Sequence, residues 1–298
     1  MALPKLVVIL GPTACGKSGL GVTLAKKYGG EIVSADSRQV YRGLDLGTGK
    51  ITIAEMDGVA HHLLDVVAPG EQYSVARFQQ EAYTALDGVI ARDHLPFLVG
   101  GTGLYLRSVA EGYVFQVAPP DHTLRAELEA LPTEVLRQRL LDAGVELDAD
   151  AWNNRPRLVR LTEKLRSGGD PHAEAERQPR YDVLTLGVAY PRETICRRID
   201  KRLVARLDAG MVEEVAALRS QGVSDEFLYG LGLEYRYILR HLTGELSMEE
   251  LIEELGRAIK RFAKRQVSWF KKDKDVHWLD MEADPITEAT ELIDSFLS

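Results

Sequence analysis

The chain has 298 residues, 45% of them hydrophobic and 28% charged, which is the composition of a folded globular enzyme and not of a disordered or fibrous chain. Acidic residues outnumber basic ones 45 to 37, giving a formal net charge of -8; this excludes a general nucleic-acid coat protein and requires any RNA contact to come from local basic clusters. No 18-residue apolar run or leader pattern is present, and Cys15 and Cys196 lie far apart without metal-ligand spacing, so a membrane span, a disulfide framework and a zinc site are excluded and a cytoplasmic location is expected.

Leu6–Leu10 is a short branched apolar run that predicts a strand, followed by a glycine-bearing loop and a helix over Lys17–Tyr28. Glu31–Ser34 predicts a second strand ending at Asp36. A helix is expected over Val75–Asp93, then a strand at Pro96–Val99 ending in the turn Gly100-Gly101-Thr102-Gly103. Continuous apolar strands alternating with helices indicate α/β architecture, a parallel sheet covered by helices on both faces, with ligands gathered beyond the carboxyl ends of the strands. From Pro119 to Arg180 strand character gives way to helical spacing, ending near Gly168-Gly169-Asp170-Pro171. Val183–Val188 resumes the sheet, helices follow over Arg192–Arg219 and Met248–Phe270, and Val276–Leu279 predicts a last strand. The expected organisation is a discontinuous core domain, 1–118 plus 181–298, carrying a helical insertion domain, 119–180.

Gly11-Pro12-Thr13-Ala14-Cys15-Gly16-Lys17-Ser18 fits a phosphate loop in its required place, between a strand and a helix. Glycines let successive backbone N–H groups face an anion, the helix N-terminus adds partial positive charge, Lys17 neutralises phosphate oxygens, and the Ser18 hydroxyl is a candidate Mg2+ ligand. The loop does not say whose phosphate it binds. Asp36, at the end of the next strand, is placed to take a proton from a nucleophile, or alternatively to cap the following segment.

Arg157, Arg160 and Lys164 share a helix face in the insertion, with Arg155 and Arg166 close by; Arg257, Lys260, Arg261 and Lys264 do the same on the late helix, where Arg257 to Lys274 holds eight basic residues against Asp273 alone. Such stripes are usually solvated faces, but two of them accompanying a phosphate site favour a nucleic-acid acceptor. Trp152 and Trp269, the nearest aromatics, are expected to pack in the core.

With these segments go Ser34-Ala35-Asp36-Ser37-Arg38-Gln39-Val40-Tyr41-Arg42-Gly43, Gly47-Thr48-Gly49-Lys50, His61-His62-Leu63-Leu64-Asp65, Tyr73-Ser74-Val75 with Phe78, Val99–Tyr105, and Ala263-Lys264-Arg265-Gln266-Val267-Ser268-Trp269-Phe270. In this combination and order the chain resembles the bacterial tRNA dimethylallyltransferase family over nearly its whole length. The resemblance implies a P-loop NTPase-like fold, a nucleotide- or diphosphate-binding loop at Gly11–Ser18, dimethylallyl diphosphate as donor, Mg2+ as cofactor and the tRNA anticodon stem-loop as partner, with no membrane and no obligate protein partner.

It further implies transfer of a dimethylallyl group to the N6 amine of the adenosine 3′-adjacent to the anticodon, in tRNAs reading codons that begin with U. Catalytic roles would fall to Asp36 as base and to Thr13, Lys17, Thr102 and Arg192, the last on the leaving diphosphate. The tRNA would meet Asp36, Ser37, Arg38, Gln39, Thr102, Arg125, Arg157, Arg160, Lys264 and Arg265. The family's Gly-Tyr-Lys/Arg-Glu segment stands here as Gly232-Leu233-Glu234-Tyr235-Arg236. Three rival readings accompany this one: a P-loop kinase for a small metabolite, since the loop alone fits ATP equally well, a prenyltransferase acting on free adenine nucleotides, and a non-enzymatic RNA-binding module, which leaves Lys17, Ser18 and Asp36 unexplained.

Overall fold

In the computed structural model, residues 2–115, 122–170 and 176–298 are described. The chain forms two compact units, Met1–Gly112 with Gln178–Ser298, and Tyr113–Arg177. The boundary expected at 118/119 and Pro171 of the Gly-Gly-Asp-Pro turn lie outside the described residues.

The first unit starts with β1 (Lys5–Leu10), α1 (Lys17–Tyr28), β2 (Glu31–Ala35), the single turn α2 (Ile53–Met56), the two-residue β3 (His61–His62), α3 (Val75–Ile90), β4 (Pro96–Gly100) and α4 (Gly103–Ala110). The second unit holds α5 (His122–Ala130), α6 (Thr133–Asp142), α7 (Ala149–Trp152) and α8 (Arg155–Arg166). The first unit then resumes with β5 (Asp182–Ala189), α9 (Arg192–Asp208), α10 (Met211–Ser220), α11 (Asp225–Leu231), α12 (Leu233–Leu242), α13 (Met248–Phe270), β6 (Val276–Asp280) and α14 (Pro285–Leu297). Gly210, at φ 100°, breaks the helical run that the sequence showed from 192 to 219.

The six strands form one sheet in the order β3-β2-β4-β1-β5-β6, every pair parallel. Both faces are buried, which is why β1 reads as an unbroken apolar run. Leu6, Val8 and Leu10 enter the core under α3 and α4 with Phe78, Leu86 and Leu106, while Val7 and Ile9 face the opposite core with Leu24, Ile199, Leu203 and Ile259. Because β1 feeds β2 across the intervening β4, the loops after β1, β2 and β4 sit side by side at the carboxyl edge.

In the second unit α6 and α8 bury Leu136, Leu140, Leu158 and Val159 against Leu128 of α5. Arg155 is part of that scaffold: its guanidinium donates to Thr133 Oγ1 at 3.0 Å and to the Leu131 carbonyl at 2.7 Å, satisfying the α5–α6 connection. Trp152 departs from the expected core packing; it is 41% exposed, with Arg137 lying 5.2 Å from its ring centroid. No described helix is long and apolar enough to cross a membrane.

Candidate active site

The loops after β1, β2 and β4 open into a cleft of about 1200 Å3 that the first unit lines by itself. Its phosphate loop turns through Ala14 at φ 61° and Gly16 at φ 85°, and Gly16 gives way directly to α1. Gly11 must be glycine for space: a Cβ there would lie 2.7 Å from Cys15 Sγ and 3.1 Å from the Val188 carbonyl oxygen. The Lys17 ammonium donates to the Pro12 carbonyl at 3.2 Å, folding the side chain over the loop.

Asp36 follows β2 directly and lines the cleft, with one carboxylate oxygen accepting the Arg38 N–H at 2.9 Å. Its neighbour Ser37 is fixed from β4: the Ser37 N–H donates to Thr102 Oγ1 at 3.0 Å, and the Thr102 N–H donates to the Ala35 carbonyl at 3.3 Å. Thr102 therefore leaves the start of α4 uncapped by its side chain and spends its hydroxyl on the Asp36 segment. Gln39 Nε2 donates to the Gly49 carbonyl at 3.2 Å, so the 36–39 segment also holds the 44–50 loop.

That loop is gripped from several directions. The Glu214 carboxylate accepts the N–H groups of Asp45, Leu46 and Gly47 at 2.9, 2.6 and 2.9 Å, and the Tyr235 hydroxyl donates to it at 3.2 Å. Burial pushes the Tyr235 phenol far up, with the Glu214 charge and hydrogen bond adding to it, so Tyr235 is a fixed donor. Its ring occupies the space a Gly47 side chain would fill. Arg206 donates to the Leu46 and Gly47 carbonyls and pairs with Glu234 at 3.2 Å.

Arg198, Arg202 and Arg206 fall four residues apart on α9 and present one basic face. Arg198 Nε donates to the Ala14 carbonyl at 2.8 Å; Arg202 reaches Thr13 Oγ1 at 3.4 Å and the Gly49 carbonyl at 3.0 Å. Burial, then the neighbouring Arg206, push the Arg202 guanidinium pKa down, while Glu234 and Asp36 push it back up, which puts the Asp36 charge within its field. Among the lining residues, Lys17, Arg38, Arg198, Lys201, Arg202, Arg236 and Arg265 outweigh the carboxylates of Asp36, Glu55 and Glu234. The cleft of an acidic protein is thus cationic and suited to a polyanion.

The structure brings together Thr13, Lys17, Ser18, Asp36, Ser37, Arg38, Gln39, Thr102 and Arg265 along this cleft, with the rest of the phosphate loop from Ala14 to Gly16. Lys264 is exposed on α13 and does not line it; Arg265 does, its guanidinium 5.8 Å from the Phe262 ring centroid. Arg192 differs from the role drawn for it. It is the exposed first residue of α9 and lies outside the cleft lining, one and a half turns or more before Arg198 and Arg202, which lie within it. Arg125, Arg157 and Arg160 belong to the second unit and carry acidic partners there. Arg125 and Arg160 share Glu163 at 2.9 and 3.2 Å, and Arg157 pairs with Asp148 at 3.1 Å. Trp269 is half-buried, its ring filling the place of a Gly103 side chain and stacking under Arg107 at 5.4 Å.

The family model for IPP transferase matches residues 39–273, and that for isopentenyl transferase matches residues 4–68. The chain is 43% identical over 290 residues to tRNA dimethylallyltransferase 1 of Geotalea daltonii, covering 96% of this chain and 94% of that protein. It is 42% identical over 303 residues to the tRNA dimethylallyltransferase of Desulforudis audaxviator, covering 98% and 97%. Among solved structures it superposes on the tRNA isopentenylpyrophosphate transferase of Bacillus halodurans with a TM-score of 0.74 at 36% identity, over 98% of this chain and 95% of that one. A eukaryotic dimethylallyltransferase acting on tRNA matches with a TM-score of 0.77 at 26% identity, over 93% and 74%. Matched in sequence over nearly its whole length and in the fold that carries the cleft, the chain belongs to the IPP transferase family.

Proposed function

We propose that this chain transfers a dimethylallyl group from dimethylallyl diphosphate to the N6 amine of the adenosine 3′-adjacent to the anticodon of tRNA, releasing diphosphate. The observation that carries this reading is the joining of a phosphate loop, an arginine pair and a carboxylate in one cleft, large enough at about 1200 Å3 for a donor and an extruded base together. Near-full-length tRNA dimethylallyltransferase relatives favour it over a small-metabolite kinase or a transferase acting on free nucleotides.

In the proposed reaction the adenine N6 attacks the allylic carbon, the carbon–oxygen bond to diphosphate breaks, and the N6 proton passes to Asp36. The growing negative charge on the leaving group meets the loop amides, Lys17, Arg198 and Arg202, donors already fixed in place by the protein. Thr102 holds the Ser37 amide and so aims the Asp36 segment. The described residues form no cluster of three His, Cys, Asp or Glu suited to a metal, so a metal would rest on the Ser18 hydroxyl and the donor's own phosphate oxygens, a hard-oxygen set that suits Mg2+. Bound there, Mg2+ would neutralise the leaving diphosphate. Arg38, Arg236 and Arg265 at the cleft, with Arg157 and Arg160 of the second unit, are proposed to hold the RNA backbone, and a cytoplasmic location goes with that acceptor.

Purified protein is incubated with Mg2+, dimethylallyl diphosphate and unmodified tRNA bearing adenosine after the anticodon, and nucleosides are analysed by mass spectrometry. Prenylated adenosine with equimolar diphosphate supports the reading; unchanged tRNA, with ATP consumed on a small acceptor instead, overturns it.

A further inference from the structure

α13 packs one face into the core, with Ile259, Ala263 and Phe270 buried, and Gln266 falls on that face at the same helical spacing. Gln266 is half-buried where that face meets the cleft, and its side-chain amide is satisfied at both ends. Its carbonyl oxygen accepts the Thr13 N–H at 2.9 Å and its Nε2 donates to the Gly101 carbonyl at 2.9 Å. Thr13 offers only a donor at its amide and Gly101 only an acceptor at its carbonyl, so the amide orientation is fixed by its partners. The crowding at Gly101 has the same origin: a Cβ there would lie 2.9 Å from Gln266 Nε2 and 3.5 Å from Lys17 Nζ.

The contacts beyond Gln266 continue the chain. Gly101 is bonded to Thr102, whose hydroxyl accepts the Ser37 N–H next to Asp36. One side chain thus ties the loop that cradles the donor to the turn that aims the base, two segments 88 residues apart in sequence. Trp269, one turn on, packs over Gly103 and holds α13 against the same turn.

We propose that Gln266 is a positioning residue that sets the register between the phosphate loop and the Thr102–Asp36 segment, and so between the reacting carbon of the donor and the acceptor amine. This rests on the transferase reading above. Register acts on the saturated chemical step more than on either binding step, because a displacement of about 1 Å between reacting groups costs on the order of 100-fold in rate.

The test uses full-length Gln266→Met, which keeps the length and removes both hydrogen bonds, and Gln266→Asn, which keeps the amide but is one methylene too short to span both loops. Single-turnover rates are measured with tRNA and dimethylallyl diphosphate both saturating, alongside KM for each substrate and circular dichroism. The inference expects folded variants with rates about 100-fold below wild type and KM values within about threefold. A rate within about threefold of wild type in either folded variant, or a loss confined to donor KM, overturns it. Should Gln266→Met not fold, Gln266→Asn carries the same two outcomes. Wild type that fails to prenylate tRNA would instead sink the transferase reading, leaving the two failures distinguishable.

Discussion

The Arg202 guanidinium lies over Gly49, donating to its carbonyl at 3.0 Å and filling the space where a side chain at 49 would stand. Gly49 also holds φ 61°, a conformation that costs other residues about 1 kcal/mol. Gly49→Ala is therefore expected to move Arg202 away from the phosphate loop. The kinetic signature is a raised KM for dimethylallyl diphosphate, with tRNA affinity in filter binding unchanged.

The arginines of α9 separate two accounts of the leaving-group site. Arg202→Ala, and to a lesser extent Arg198→Ala, should lower kcat/KM for the donor by about 100-fold, the scale seen when one preorganised donor to a developing anion is lost. Arg192→Ala should change little, since Arg192 is exposed outside the cleft lining. Steady-state kinetics on the three variants decides it; a large loss at Arg192 with none at Arg202 would reverse the assignment.

Glu214 holds three consecutive backbone N–H groups of the 44–50 loop and the Tyr235 hydroxyl. Glu214→Ala leaves those donors without an acceptor and is expected to cost about 3 kcal/mol in urea unfolding. Tyr235→Phe removes one neutral-side donor and should cost less than half as much, about 1 kcal/mol.

At the start of β2, outside the cleft lining, the buried Glu31 carboxylate accepts Arg92 Nε and Nη2 at 2.9 and 2.8 Å, His62 at 2.6 Å and His94 at 2.7 Å. The Arg92 hydrogen bonds dominate over the opposing effect of burial and, with the two histidines, lower its pKa from 4.5 to about 2. A carboxylate with a depressed folded pKa contributes stability that is complete above its unfolded value and is lost as pH falls through the folded one, here from 4.5 down to about 2. Glu31→Gln should flatten the wild-type fall in stability across that window while leaving transferase rates at neutral pH intact. An unchanged slope would mean that Glu31 is not the titrating group.

Much of the sheet was legible because its central strands β1, β2 and β4 are buried on both faces and β5 along most of its length, while the edge strand β6 shows only through Val276, Trp278 and Leu279; the loops after β1, β2 and β4 carry their chemistry in recognisable segments. β3 was not, since two half-buried histidines carry no periodicity and pair with β2 only through the fold. The Arg198, Arg202 and Arg206 spacing was visible, yet along a helix it is indistinguishable from a solvated stripe. What buries Arg202 is the 44–50 loop crossing α9, a contact between residues 153 apart. The Glu214 clamp is equally non-local, spanning 167 residues to Gly47. The insertion's basic stripe falls on one face of α8 as expected; its Arg160–Glu163 pair is local to that helix, whereas the Asp148 partner of Arg157 and the Arg125 that shares Glu163 come from outside it and are revealed only by packing.

Asp36 is proposed to take the N6 proton while the phosphate loop and the α9 arginines hold the donor. Single-turnover prenyl transfer by Asp36→Asn, with tRNA and dimethylallyl diphosphate both saturating and donor affinity measured in parallel, tests it most directly. The expected rate is lower by about 100-fold to 10,000-fold, with donor affinity close to wild type. A variant that transfers the prenyl group at the wild-type rate, or one whose entire loss lies in donor binding, would contradict it.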